Sequence, residues 1–323
     1  MVENFPEATF LQSSLWQKTN KKIGHFTKVL ADDKSSALCI VKAAKRGRYL
    51  EVPGGPLLDW SDLKMAENVL KSLKSLAKSQ KCAFIRLRPQ LLNTPENLKK
   101  LKDLGLKPSP MHLHAEHTVI INLKNSEADL LAKMRRQTRY EVRRAEKLKL
   151  KVDSISADKS SFKELLDEFF ETQQKTAMRQ HFIPPSFKEL EAECDSFGKN
   201  AILYVSRTED GAPVAYGLIL KWGEEADYFE AASTDLNRRL PGAYALLWQA
   251  MKDLKAEGYT RFNLWGIAPE GQPHHRYAKV TTFKTGFGGD IVNFVPAHDL
   301  VISKIKYLPD LVIETARKRC RHL

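Results

Sequence analysis

At 323 residues, 42% of them apolar, the chain is long enough for two cores of ordinary size. Its 52 Lys and Arg outnumber 39 Asp and Glu, leaving a formal charge of +13 that favours polyanionic partners: nucleic acid, anionic headgroups or phosphorylated metabolites. No run approaches the roughly 18 apolar residues of a spanning helix, and Met1-Val2-Glu3-Asn4-Phe5-Pro6 lacks the basic-then-apolar pattern of a secretory signal, so a cytoplasmic place is expected. Cys39, Cys82, Cys194 and Cys320 form no CxxC pair, which argues against a disulfide framework or a thiolate metal site.

In chain order, residues 11–19 suit a short helix, and 37–42 and 49–52 read as strands. Residues 60–80 place Leu63, Ala66, Val69, Leu70, Leu73, Leu76 and Ala77 at helical spacing. Residues 84–87 read as a strand and 96–104 as a helix stopped near Gly105, after which Lys107-Pro108-Ser109-Pro110 breaks regular structure. A strand at 117–123 opens a second segment, with helices over 129–147 and 159–179 and strands over 201–206, 214–221 and 227–231. A helix over 242–257, a strand over 261–264 and a closing helix over 300–317 complete the pattern. Three consecutive strands of antiparallel type between helices predict an α+β sheet, not a doubly wound parallel one. No repeat is visible between the two segments.

The predicted helix over 129–147 resolves by angle. At about 100° per residue, Leu131, Met134, Thr138, Val142 and Ala145 form one stripe. Lys133, Arg136, Arg139, Arg143, Arg144 and Lys147 lie mainly on the far side, only partly offset by Glu141 and Glu146. Such a row is either a solvated face or a contact for phosphates, whose recognition is independent of base sequence; an anionic membrane surface is the competing partner. His112, His114 and His117 look like a metal cluster, but no acid or cysteine has suitable spacing, so no metal site is expected. His274-His275 reads as a loop that either lines a site or is solvated.

Arg239-Leu240-Pro241-Gly242-Ala243-Tyr244 approximates the glycine turn that binds coenzyme A pyrophosphate at a helix N-terminus. Tyr244 stands where a small residue is required and Pro241 lacks an amide donor, which argues against that cofactor. On a strand, Tyr228 and Glu230 share a face, suited to holding an amine or peptide, or equally to a half-buried sheet face. Finally, Asn263-Leu264-Trp265-Gly266-Ile267 ends a strand at a glycine, and Thr282-Phe283-Lys284-Thr285-Gly286-Phe287-Gly288-Gly289 presents one lysine among aromatics and glycines. Glycine permits close backbone approach and positive φ, so this stretch reads as a pocket wall. A lysine held among apolar groups suits stabilisation of an acyl-transfer intermediate; the plainer reading is a solvated lysine on a turn.

These segments follow Gln12-Ser13-Ser14-Leu15-Trp16, Pro53-Gly54-Gly55-Pro56, Met134-Arg135-Arg136-Gln137-Thr138-Arg139-Tyr140, Thr176-Ala177-Met178-Arg179 and Tyr228-Phe229-Glu230-Ala231-Ala232-Ser233 in order. Taken together the set resembles the FemABX family, aminoacyl-tRNA-dependent peptidyltransferases that build peptidoglycan cross-bridges. Each motif is weak alone; their order, over nearly the whole chain, carries the resemblance. It implies two acetyltransferase-like α+β domains around a common cleft, residues 1–115 with about 296–323 in the first and 116–295 in the second. The closing helix is expected to pack on the first. No sustained heptad run separates 159–179 from 186–197, so the chain resembles the short FemX-like form without a coiled-coil arm.

The resemblance also implies transfer of an amino acid from aminoacyl-tRNA, the co-substrate, with no further cofactor. The acceptor is an amine on the stem peptide of a lipid-linked or nucleotide-linked peptidoglycan precursor, with peripheral contact at the inner membrane surface. Carried over residue by residue, Lys284 stabilises charge at the acyl group or ribose oxygen, and Phe283 shapes the pocket. Arg179, Tyr228, Glu230, Trp265 and Gly266 bind substrate, and Arg136, Arg139, Arg143 and Lys147 bind tRNA. Glu230 or the substrate itself takes the amine proton. Two departures leave the acceptor open: Asn20 stands where relatives using nucleotide-linked precursor place a lysine, and Pro184 or Pro185 where they place a phosphate-binding arginine. A coenzyme A-dependent N-acyltransferase of the same fold and a non-catalytic RNA-binding module are the alternatives.

Overall fold

A computed structural model describes residues 2, 5–44, 47–180, 182–272, 275 and 277–320; His274 lies outside them. A 3-10 turn, Phe10–Gln12, leads into α1 (Ser14–Lys22), β1 (Phe26–Ala31), β2 (Ser35–Ala44), β3 (Gly47–Pro53), β4 (Leu57–Leu58), α2 (Leu63–Ser79), β5 (Cys82–Arg88), α3 (Pro95–Asp103) and β6 (Lys107–Pro108). Then come β7 (His117–Asn122), α4 (Glu127–Lys133), α5 (Arg136–Lys147), β8 (Lys151–Ser156), α6 (Phe162–Gln180), α7 (Phe187–Phe197), β9 (Ala201–Arg207), β10 (Pro213–Trp222) and β11 (Glu225–Ser233). The chain closes with α8 (Gly242–Ala256), β12 (Arg261–Gly266), α9 (Ala278–Thr285), β13 (Asp290–Asn293), β14 (His298–Val301) and α10 (Lys304–Cys320). By internal contacts these form two units: Met1–Thr118 with Gly266–Lys279 and Val292–Leu323, and Val119–Trp265 with Val280–Ile291.

The first sheet runs β1-β2-β3-β5-β14-β6, with β4 beside β2. Its one parallel pair is β3 with β5, joined through α2. Asp62 caps α2 by accepting from the Met65 amide, and Ala66, Leu70, Leu73, Leu76 and Ala77 make the buried stripe that the spacing predicts. That stripe meets Cys39, Val41, Leu50, Val52, Ile85 and Leu87. Strand β5 is buried at every position, because Ala83 and Phe84 are covered in turn by Tyr307 of α10. Two motifs far apart in sequence meet here: the buried Gln12 amide donates to the Pro53 carbonyl at 2.5 Å and accepts from the Leu38 amide at 2.7 Å.

The second sheet runs β13-β7-β12-β11-β10-β9-β8. Strands β8 to β11 pair antiparallel and β11 with β12 parallel, through α8. Both sheets are therefore built on three antiparallel strands, a helix and a parallel fourth strand, a duplication with no counterpart in the sequence. Helices α6 and α7 have 19 and 11 residues and follow each other closely, so this stretch carries no coiled-coil arm. The α+β class expected from the strand pattern holds in both units.

Three local expectations need correction. The helix predicted over 129–147 is broken into α4 and α5, because Met134 and Arg135 are extended. The Arg135 amide donates to the Gly286 carbonyl, and the Arg139 guanidinium donates to the Ala132 and Met134 carbonyls, so the groups freed by the break are satisfied. The helix predicted over 300–317 begins only at Lys304, residues 298–301 being drawn into β14 alongside β5. Strands β1, β8 and β13 have no counterpart among the predicted elements; their mostly exposed residues lack the apolar alternation that marks a strand in sequence.

Helix α10 is fixed to its sheet by a buried ion network. Arg86 grips Asp299 through two bonds of 2.8 and 2.9 Å and donates to Glu314 at 2.7 Å, while the Tyr307 hydroxyl donates to Asp299 at 3.0 Å. The guanidinium also lies over the Phe84 and Tyr49 rings. Replacing Arg86 by Ala strands two carboxylates, one wholly buried, and is expected to destabilise the chain by about 3–5 kcal/mol. Urea unfolding of Arg86→Ala against wild type checks this.

Candidate active site

Lys284 sits in the last turn of α9 and is only 8% exposed. The glycines after it fix its place by packing. A Cβ at Gly286 would lie 2.4 Å from Thr138 Oγ1, and one at Gly288, whose φ is +80°, only 2.3 Å from the Lys133 carbonyl oxygen. The chain thus runs directly against the break between α4 and α5. The Arg135 side chain adds a bond of 2.8 Å to the Thr282 carbonyl.

Opposite Lys284 lies β11. Leu218 pairs with Glu230 and Ile219 with Tyr228, so Phe229 is the extra residue of a β-bulge. Tyr228 and Glu230 flank this bulge. The Lys284 ammonium stands 6.0 Å from the centre of the buried Tyr228 ring and interacts electrostatically with Glu230. Burial pulls the lysine down to about 7, against the pull of Glu230. Burial likewise pushes Glu230 up to about 7, opposed by the Lys284 charge and by the Gln173 amide donating at 2.7 Å. Near neutral pH this is an acid and a base of matched strength in a desolvated place.

The other expected residues divide into those that join this group and those that do not. Phe283 belongs to an aromatic cluster, its ring 4.9 Å from Tyr244 and 5.4 Å from Phe287. Trp265, next to last in β12, has φ +62°, a strained value for a bulky residue, and sets its ring 5.4 Å from Phe229 at the bulge. Gly266 falls in the first unit. Arg179 is engaged at the end of β11, donating to Asp235 at 2.9 Å and to the Ser233 carbonyl. On α5, Arg139 holds α4 carbonyls and Arg144 bonds Glu141 and the Arg239 carbonyl, whereas Arg136, Arg143 and Lys147 are exposed. Those three share one face with Tyr140, which is 57% exposed.

The histidines do not converge. His114 meets Glu51 at 3.7 Å and His117 bonds Asn293, and no group of three or more His, Cys, Asp or Glu could hold a metal among the described residues. The turn before α8 serves the fold: a Cβ at Gly242 would strike Val214 at 2.4 Å and Ser206 at 2.6 Å, and the Ala243 amide is taken by Asn237. Tyr244 belongs to the Phe283 cluster, its ring 5.9 Å from Phe287.

Sequence reading missed Gln173 and Lys42. Gln173 is fully buried on α6 among Phe169, Thr176 and Ala177, and a lone amide within an apolar stripe was the available signal. Lys42 reaches from β2 to the Asn20 side chain at 3.2 Å, bringing an ammonium to the position where the sequence has none; nothing in the chain order marks it.

The family profile that matches is that of the FemAB family, over residues 2–209 and 205–314. Aminoacyltransferase FemA of Staphylococcus aureus (strain MRSA252) is 18% identical over 405 residues, covering 96% of each chain, and that of Staphylococcus epidermidis is 19% identical over 358 residues, covering 85% of this chain and 86% of that one. Among solved structures, the crystal structure of FemX superposes with a TM-score of 0.82 at 18% identity, covering 97% of this chain and 96% of that one. L-PGS from Bacillus licheniformis does so at 0.60 and 15%, covering 93% and 90%. With the family profile matched along almost its whole length and aminoacyltransferases among its relatives, the chain belongs to the FemAB family and is an acyltransferase.

Proposed function

We propose that the chain transfers an amino acid from aminoacyl-tRNA to an amine on the stem peptide of a peptidoglycan precursor, with Lys284 and Glu230 at the reacting atoms. The observation that carries this reading is the buried Lys284–Glu230 pair, drawn from opposite ends of the titration scale to about 7. In the reaction the amine attacks the ester carbonyl, a C–N bond forms, and the C–O bond to the terminal ribose breaks. The proton lost by the amine ends on the ribose oxygen. The ester is already activated, so positioning and charge stabilisation suffice without a covalent nucleophile. The Lys284 ammonium faces the developing negative charge, and Glu230, steadied by Gln173, takes the amine proton. Tyr228, buried against the ammonium, keeps water from the pair, and Phe283 shapes the pocket by family correspondence. Arg179, Trp265 and Gly266 act on the acceptor side by family correspondence. The Ala243 amide at the start of α8 is already taken by Asn237, which leaves one donor fewer for a coenzyme A pyrophosphate and supports a charged tRNA as the donor.

The pH dependence follows from the pair. Below about 7 Glu230 is protonated and cannot accept a proton; above about 7 Lys284 loses its charge. A narrow bell in kcat/KM near neutrality is expected. Glu230→Gln should remove the acid limb and lower the rate about 10²–10⁴-fold, and Lys284→Met the alkaline limb with a loss of about 10²–10³ in kcat. Transfer of labelled amino acid from charged tRNA, measured across pH, checks both; variants that keep wild-type rates and limbs would sink the assignment.

The same burial weighs on stability. The depressed Lys284 penalises the native state below the lysine's ordinary value, fully below about 7, and the raised Glu230 penalises it above the usual carboxylate range, fully above about 7. Lys284→Met with Glu230→Gln should therefore stabilise the inactive protein by on the order of 1–4 kcal/mol. The gain should peak near neutral pH and shrink toward both extremes, as thermal unfolding across pH would reveal.

On α5, Arg136, Arg143 and Lys147 offer a phosphate-binding row beside Tyr140. Replacing all three by Gln should weaken tRNA binding and flatten the slope of log affinity against log salt by about 2–3. An unchanged slope in a filter-binding titration would remove this surface from the reading.

A further inference from the structure

Helix α10 wears its polarity inside out. A helix resting on a sheet normally turns apolar residues inward and charge outward. Here the inward side carries Asp310, 6% exposed, and Glu314, which bonds Arg86, beside Tyr307. The outward side carries Ile305, Leu308 and Val312, which are 87%, 59% and 59% exposed, with Ile313 and Ala316 beside them. At about 100° per residue these positions and Pro309 fall within an arc of about 140°. Exposed Lys304, Lys306 and Arg317 flank that arc, and no acid of the helix reaches it, since both acids face the sheet.

We propose that this face of α10 docks on an anionic bilayer surface, a property separate from the transfer reaction. Three features select that occupant. The apolar side chains project together from one exposed side of the helix, so they suit shallow insertion at the boundary of headgroups and acyl chains, about 5–10 Å deep. The flanking charges are all positive and, on long stems, reach headgroup phosphates while the ridge is immersed. A second copy packed on this ridge would bring those cations together, in a chain that already carries +13.

The test is co-sedimentation of the full chain with vesicles of phosphatidylcholine alone and of phosphatidylcholine mixed with phosphatidylglycerol. Wild type should bind the mixed vesicles. Ile305→Ser, Leu308→Ser and Val312→Ser together should weaken that binding on the order of 100-fold. Lys304→Gln and Lys306→Gln should cost about fivefold each on mixed vesicles only. In case the triple variant folds poorly, Leu308→Trp in the otherwise unchanged chain supplies a second readout: its added emission should shift to the blue when mixed vesicles are present. Absence of vesicle binding by wild type, or an unshifted emission spectrum from the Leu308→Trp variant, would overturn the proposal. So would loss of binding through Arg136→Gln, Arg143→Gln and Lys147→Gln in place of the α10 changes. Sedimentation velocity without lipid adds a further arm: a wild-type dimer dispersed by the triple serine variant would make the ridge a contact between copies, also overturning it.

Discussion

An ammonium taken out of water is unstable unless something holds it there, and the second unit is arranged around holding Lys284. The lysine cannot retreat to solvent, because the backbone that follows it is pressed against the α4–α5 break at distances only glycine tolerates. The break supplies the opposite half of the contact: Arg135 donates both its amide and its side chain to the α9 segment. Across from it, Tyr228 and Glu230 flank the bulge at Phe229 and both act on the lysine. Each of these features is locally unfavourable, whether a broken helix, a disrupted ladder or a desolvated charge, and together they define one place. Strain and desolvation gathered in this way make it the candidate functional site.

The first unit uses buried charge differently. Arg86 has its carboxylates at bonding distance and two aromatic faces, so its charge is fully matched and serves the fold, fastening α10 to β5 and β14. Lys284 has a counter-charge and a ring, and its proton is consequently held loosely. The same chemical ingredients, a cation with acids and aromatics, give a clamp in one unit and a poised pair in the other. The difference lies in the cation: a guanidinium keeps its charge when buried, whereas a buried ammonium readily gives up its proton.

Much of the fold was legible because helix α2 carries an apolar stripe of the expected period, and strands β5, β9 and β10 are largely apolar runs. Edge strands β1, β8 and β13 were not, since an exposed strand needs no apolar alternation and takes its structure from the neighbour it pairs with. Of the site, Lys284 and Glu230 were legible through their residue types and surroundings. Gln173 was visible only as a polar interruption of α6, and Lys42 not at all. The roles given to Arg139 and Arg179 on sequence grounds meet a structure in which both already bond backbone carbonyls.

By itself the sequence determined what depends on neighbours along the chain: the α+β class, the helix periods, the cationic row of α5, and the order of motifs that marks the family. Tertiary structure decided what depends on partners far apart in the chain. The duplicated sheet, the break between α4 and α5, the convergence of Lys284 with Glu230 and the outward apolar ridge of α10 all arise this way. The physical reason is that a residue's period fixes which face it occupies, but the charge state and exposure of its side chain are set by the elements that pack against that face.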